Sequence, residues 1–139
     1  MPVRLRDLGR AIKQLQDRHH RSLDGGLSQV GTTLVQWDAL RAIAQTPGAS
    51  AHELALATFQ SDQAFGTLAN RLEAQSLIER RPGHGRRIEH HVTAAGEKTL
   101  AAGNPIANEV LAASFAPLAE HERVTLLELL QRILAHEPS

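Results

Sequence analysis

The sequence predicts a mainly α fold carrying one small β-hairpin, on three observations. Helix-start signatures at Ser50 and Ser61 are divided by Thr58-Phe59-Gln60, the spacing of a short helix, a tight turn and a longer helix. Leu77 to Thr93 reads as two short strands around Pro82-Gly83-His84-Gly85, where two glycines and a proline in four residues mark a hairpin tip. Apolar seams at helical spacing occupy both ends of the chain. Helix, turn, helix and hairpin, in that order, make a winged helix-turn-helix. The two terminal seams predict N- and C-terminal helices that dimerise it.

At 139 residues, with 42% hydrophobic and 22% charged side chains, the chain is long enough to bury a core and has globular composition. It holds no cysteine, which excludes disulfides, thiolate catalysis and thiol redox sensing. No apolar run reaches a membrane span and the N-terminus lacks a signal-peptide core, so the expectation is a soluble, cytoplasmic protein with no membrane partner. Net charge is zero, from 15 basic and 15 acidic residues, which alone argues against a nucleic-acid partner. The distribution argues otherwise. Residues 1–21 hold six basic side chains against two acidic ones, and residues 97–139 hold three against six. Four arginines (Arg80, Arg81, Arg86 and Arg87) crowd the hairpin beside one acid, Glu79.

Along the chain, Leu5, Leu8, Ile12 and Leu15 form a narrow seam over a helix at residues 3–21, which Asp24-Gly25-Gly26 is expected to end. Thr33 opens the second helix, with Gln36 placed for a capping box. Leu34, Trp37, Leu40 and Ile43 then face inward, and Thr46-Pro47-Gly48 stops it. Ser50 and Glu53 form a second capping box on a helix of about two turns, with Leu54 and Ala57 inward.

The helix from Ser61 to about Gln75 carries the decisive pattern. Phe65, Leu68, Ala69 and Leu72 gather on its buried side. Gln63, Thr67 and Asn70 lie opposite, flanked by Gly66 and Arg71. Gln and Asn can hold an adenine edge with two hydrogen bonds, and Thr can bond a base or pack on a thymine methyl. Gly66 costs a helix roughly 1 kcal/mol, a cost understandable where a backbone must approach something closely. Asp62 is discordant, since it repels phosphate, although it can accept from a cytosine amino group. A merely solvated helix face reads equally well in isolation. The arginine-rich hairpin breaks the tie, because four arginines repel one another unless a phosphate backbone or a narrow minor groove receives them.

In the returning strand, Arg86 to Thr93, Ile88, His90 and Val92 share one face. His90 is thereby a hydrogen-bonded, half-buried histidine rather than a metal ligand, and His84 at the tip is placed to meet phosphate or the minor groove. A long helix follows from Thr93, with a kink or a break expected near Asn104 because of Pro105. After Pro117 a last helix carries Val124, Leu127, Leu130, Ile133 and Leu134, too apolar for a lone surface helix.

These residues resemble the multiple-antibiotic-resistance regulator (MarR) family over nearly the whole chain. The resemblance rests on Thr33-Leu34-Val35-Gln36-Trp37, Asn70-Arg71-Leu72-Glu73, Leu77-Ile78-Glu79-Arg80 and Val92-Thr93-Ala94-Ala95-Gly96, in that order and spacing. It implies a homodimer on double-stranded DNA that represses, or occasionally activates, transcription from palindromic operators. Release by a small aromatic or lipophilic effector is implied too, with His19 and Trp37 as candidates to line its pocket. The domain division that follows is one domain over residues 1–139: 1–32 and 97–139 dimerise, and 33–96 form the winged helix-turn-helix lobe. The candidate DNA-binding set is Ser50, Ser61, Asp62, Gln63, Gly66, Thr67, Asn70, Arg71, His84, Arg86 and Arg87. His84 stands where the family usually has an aspartate orienting the wing arginine, which corresponds to Arg86, and Thr67 stands where a basic residue is frequent. The absence of cysteine excludes the peroxide-sensing branch.

Two other readings stay open. A winged-helix module that binds protein suits the neutral charge, and a metal-responsive regulator would need histidines converging from two subunits. No cofactor or metal is called for otherwise. An enzyme is not indicated, because no Ser/His/Asp set or phosphate loop occurs and the pairs His19-His20 and His90-His91 point apart.

Overall fold

The computed structural model describes residues 1–138. Among them the elements run α1 (Leu5–Leu27), a 3₁₀ turn (Ser28–Val30), α2 (Leu34–Gln45), α3 (Ala51–Ala57), α4 (Asp62–Ala74), β1 (Ile78–Pro82), β2 (Ile88–Val92), α5 (Ala94–Ser114) and α6 (Glu120–Ala135). The fold is therefore mainly helical with one antiparallel hairpin, as the periodicities predict. The core lies where α2, α3, α4 and β1 meet, around Leu40, Ile43, Leu54, Phe65, Leu72 and Ile78, each 2% exposed or less.

Helix α1 passes straight through Asp24-Gly25-Gly26 instead of ending there. Tertiary contact overrides the glycines' weak helix preference. Leu27 is fully buried, and a Cβ on Gly26 would lie 2.7 Å from Ile106 Cγ2, so this glycine lets α1 and α5 close on each other. Asp24 Oδ1 accepts the backbone N–H of Leu34 at 2.8 Å, fastening α1 to the start of α2. The chain reverses only at Gly31, whose φ of +78° suits glycine.

Thr33 caps α2 by accepting from Gln36 N–H at 3.2 Å, but the reciprocal half of the expected box is missing. Gln36 Oε1 instead faces the Thr32 hydroxyl at 3.4 Å. The box on α3 is complete: Ser50 Oγ accepts from Glu53 N–H and Glu53 Oε1 accepts from Ser50 N–H. Leu54 and Ala55 are the buried pair, while Ala57 is exposed. At 100° per residue, Leu54, Ala55 and Thr58 share an arc that Ala57 falls outside.

Of the kink or break expected at Pro105, the break does not occur: helix α5 runs unbroken across it. The carbonyl deprived of its partner belongs to Ala101, an exposed residue, so water can satisfy it. Buried Gly103 and Ala107 hold the helix on either side of the proline. Helix α6 has no buried residue and makes only sparse contacts with the rest of the chain. No helix among the described residues is long and apolar enough to cross a membrane.

Candidate nucleic-acid interface

Helices α3 and α4 pack directly on each other, joined by a turn in which Phe59 adopts a φ of +58°. Ser61 caps α4, its Oγ accepting from Ala64 N–H at 3.1 Å. The buried face of α4 is the predicted one: Phe65 0%, Leu68 7%, Ala69 1% and Leu72 0% exposed. Gln63, Thr67, Asn70 and Arg71 are exposed on the outside. The amides of Gln63 and Asn70 have no hydrogen-bond partner among the described residues, while Thr67 Oγ1 donates to Gln63 O at 3.1 Å. A Cβ on Gly66 would meet nothing within 4 Å, so no contact within the chain requires glycine there. Asp62 is not free in this structure; its carboxylate lies 2.9 Å from His52 Nδ1 on α3.

The hairpin pairs Ile78 with Val92 through to Pro82 with Ile88. Its turn is Gly83 to Arg87, longer than the four-residue tip expected, so Arg86 and Arg87 belong to the turn rather than to β2. Gly83 N–H donates to Arg87 O at 2.7 Å across its neck, and Gly85 takes a φ of +66°. Ile88, next to this turn, is exposed rather than inward.

The arginine cluster is not the unpaired group that its sequence neighbourhood indicates. Arg80 pairs with Glu73 of α4 at 2.7 Å, Arg81 with Glu79 at 2.7 Å, and Arg87 with Glu53 of α3 at 2.7 Å. Arg87 also donates to Gly48 O at 3.0 Å. The bonds to Glu53 and Glu73 favour the carboxylate form. Arg87 and the Ser50 cap hold the Glu53 carboxyl below its ordinary range, Arg80 does the same to Glu73, and Glu73 in turn raises Arg80. Arg86 is the one wing arginine without an ion-pair partner among the described residues. It stands exposed beside His84 at the tip.

His90 fixes the hairpin to the body, a role the half-buried expectation understates. It is 2% exposed, and its Nδ1–H donates to Ala49 O at 2.9 Å; a carbonyl only accepts, so Nδ1 carries the proton. Its backbone N–H reaches Ala49 O at 3.1 Å, and its carbonyl receives Gly48 N–H at 2.9 Å. Phe65 meets the ring edge to face at 6.0 Å. Burial pushes the imidazole's pKa down.

The two candidate pocket residues are kept apart. His19 Nε2 lies 2.6 Å from Ser114 Oγ, and its ring stands edge-on to Phe115 at 5.3 Å. It lines an open groove of about 410 Å³ with Arg18, Ser22, Val110, Ala113, Ser114 and Pro117. Trp37 is not among those residues. It packs against the core and Gly103, and its buried Nε1–H has no partner. Among the described residues no group of three or more His, Asp or Glu side chains could hold a metal ion.

A family model described as "MarR family" matches residues 30–88. No curated protein sequence gives a significant match. Among solved structures the chain is similar to one described as a "probable transcriptional regulator" from Pseudomonas aeruginosa, with 30% identity, 94% of this chain and 99% of that one covered, and a TM-score of 0.81. A mutant MarR from E. coli complexed with operator DNA matches at 22% identity, over 92% of this chain and 94% of that one, with a TM-score of 0.85. A MarR family protein from Mycobacterium tuberculosis in complex with salicylic acid matches at 24% identity, over 91% and 95%, with a TM-score of 0.74.

Proposed function

Because the chain belongs to the MarR family of winged-helix transcription regulators, we propose that it is a homodimeric repressor that reads a palindromic operator through α4. The observation that carries this reading is the outer face of α4. Its two amides are unpaired, and its glycine answers to nothing inside the chain. Such groups suit base edges in the major groove. Arg86 at the wing tip supplies a cation for phosphate or the minor groove, while Arg71 and the Ser50 and Ser61 hydroxyls lie on the same lobe for backbone contact. Arg87, pledged to Glu53 and Gly48, holds the wing in place and meets DNA only secondarily.

The dimer reading draws on the apolar surface left open at both chain ends. Leu5 is 81% exposed, Leu127 56%, Ile133 57% and Leu134 81%. Exposed apolar seams of this kind mark a surface that another protein covers. The basic N-terminal segment and the acidic C-terminal segment complement each other across such an interface. In this division residues 1–32 and 97–139 dimerise and residues 33–96 read DNA. A small aromatic carboxylate is the effector class that fits the groove beside His19, where Arg18 supplies a cation beside the apolar wall of Val110 and Ala113. The salicylic acid complex of the mycobacterial relative is in keeping with that class.

Selection of duplexes from a random-sequence pool tests the function. The protein is expected to enrich a two-fold symmetric sequence whose half-sites are separated by about one helical turn. A pool that stays random at low salt, with the protein still dimeric, would favour a protein-binding winged-helix module instead.

A further inference from the structure

His52 sits in the first turn of α3 and Asp62 begins α4. The imidazole Nδ1 lies 2.9 Å from one carboxylate oxygen and 3.2 Å from the other, and both side chains are 68% exposed. A carboxylate only accepts, so Nδ1 carries a proton. Nε2 has no hydrogen-bond partner among the described residues. An exposed pair of this kind adds little to folding stability. It does bridge the two helices of the reading motif at the start of α4, where the negative charge of Asp62 would otherwise oppose a phosphate backbone.

Resting on the assignment of α4 as the reading helix, we propose that His52 is a further DNA contact, donating from Nε2 to a backbone phosphate while Asp62 positions its ring. With Nδ1–H committed to Asp62, a neutral ring offers the phosphate only a lone pair at Nε2. A protonated ring offers an N–H donor and offsets the carboxylate's charge. Binding therefore takes up a proton wherever the free ring is neutral, and affinity falls as pH rises. Of the other charged groups on α3 and on the elements packed against it, Glu73 of α4 pairs with Arg80, Arg71 of α4 is exposed, and His90 of β2 is buried against Ala49. Glu53 on α3 pairs with Arg87 of the wing, Asp38 with Arg41 on α2, and Glu89 with His91 on β2.

Fluorescence anisotropy on a duplex enriched from the random pool, from about pH 6 to about pH 8 at fixed ionic strength, tests the contact. The unsubstituted protein is expected to lose up to about tenfold in affinity per pH unit for each proton taken up. His52→Gln should bind more weakly at the low-pH end, lose that dependence, and show a salt slope reduced by about one per protomer. Asp62→Asn should also bind more weakly, despite removing a negative charge near DNA. His52→Gln with unchanged affinity, pH profile and salt slope overturns the contact, and tighter binding by Asp62→Asn overturns the positioning role. If the unsubstituted protein binds no duplex, the DNA-reading assignment falls and takes the inference with it. Both side chains are exposed, so their replacement leaves the core intact.

Discussion

Phe59 is 95% exposed and holds a φ of +58° at the end of α3, a position that favours glycine. Phe59→Gly is expected to raise stability by roughly 1 kcal/mol, read as a higher denaturant midpoint at unchanged slope. His90 gives a pH signature. Its folded-state pKa is depressed by burial below the ordinary 6.5, so the unfolded chain binds the proton more readily. Stability is then fully present above about 6.5 and declines as pH falls below it; thermal melts from neutral to mildly acid pH should show the drop, and His90→Asn should remove it. The wing arginines separate by the same logic of partners. Arg86→Ala should weaken duplex binding without changing the melting temperature, whereas Arg87→Ala should lower both, because Glu53 and Gly48 lose a shared donor. A local reading of charge misses this distinction. Glu53 and Glu73 come from α3 and α4, and only folding brings them to Arg87 and Arg80.

At the scale of elements, what the sequence makes legible is what local chemistry decides. Ser50 and Glu53 are three residues apart and form both capping bonds foreseen for them. The buried stripe of α4 follows from spacing alone. Thr93-Ala94-Ala95-Gly96 also has a local logic: Thr93 caps α5 by accepting from Gly96 N–H, and a Cβ on Gly96 would collide with Leu77 O. What long-range packing decides is not legible. Gly25-Gly26 and Pro105 are helix breakers in sequence, yet α1 and α5 run through them because the two helices pack closely on each other. Gly103 shows how tight the packing around α5 is, since a Cβ there would lie 2.5 Å from Trp37 Cδ1 and 2.9 Å from Leu27 Cδ2. Gly103→Ala is expected to cost about 1–3 kcal/mol in chemical denaturation, as overpacking usually does.

The whole molecule, under the proposed function, is a DNA reader completed by a second copy. Ile133→Asp would place a charge in the exposed seam proposed to dimerise and is expected to shift sedimentation from dimer to monomer. Comparison of unsubstituted protein with Gln63→Ala, on the enriched duplex and on a scrambled one, decides whether the outer face of α4 reads sequence. The unsubstituted protein is expected to prefer the enriched duplex by at least about a thousandfold. Gln63→Ala should lose roughly 1–3 kcal/mol of that preference while its affinity for the scrambled duplex stays the same. A preference left intact by Gln63→Ala, or equal binding of both duplexes by the unsubstituted protein, would contradict a reading role for that face.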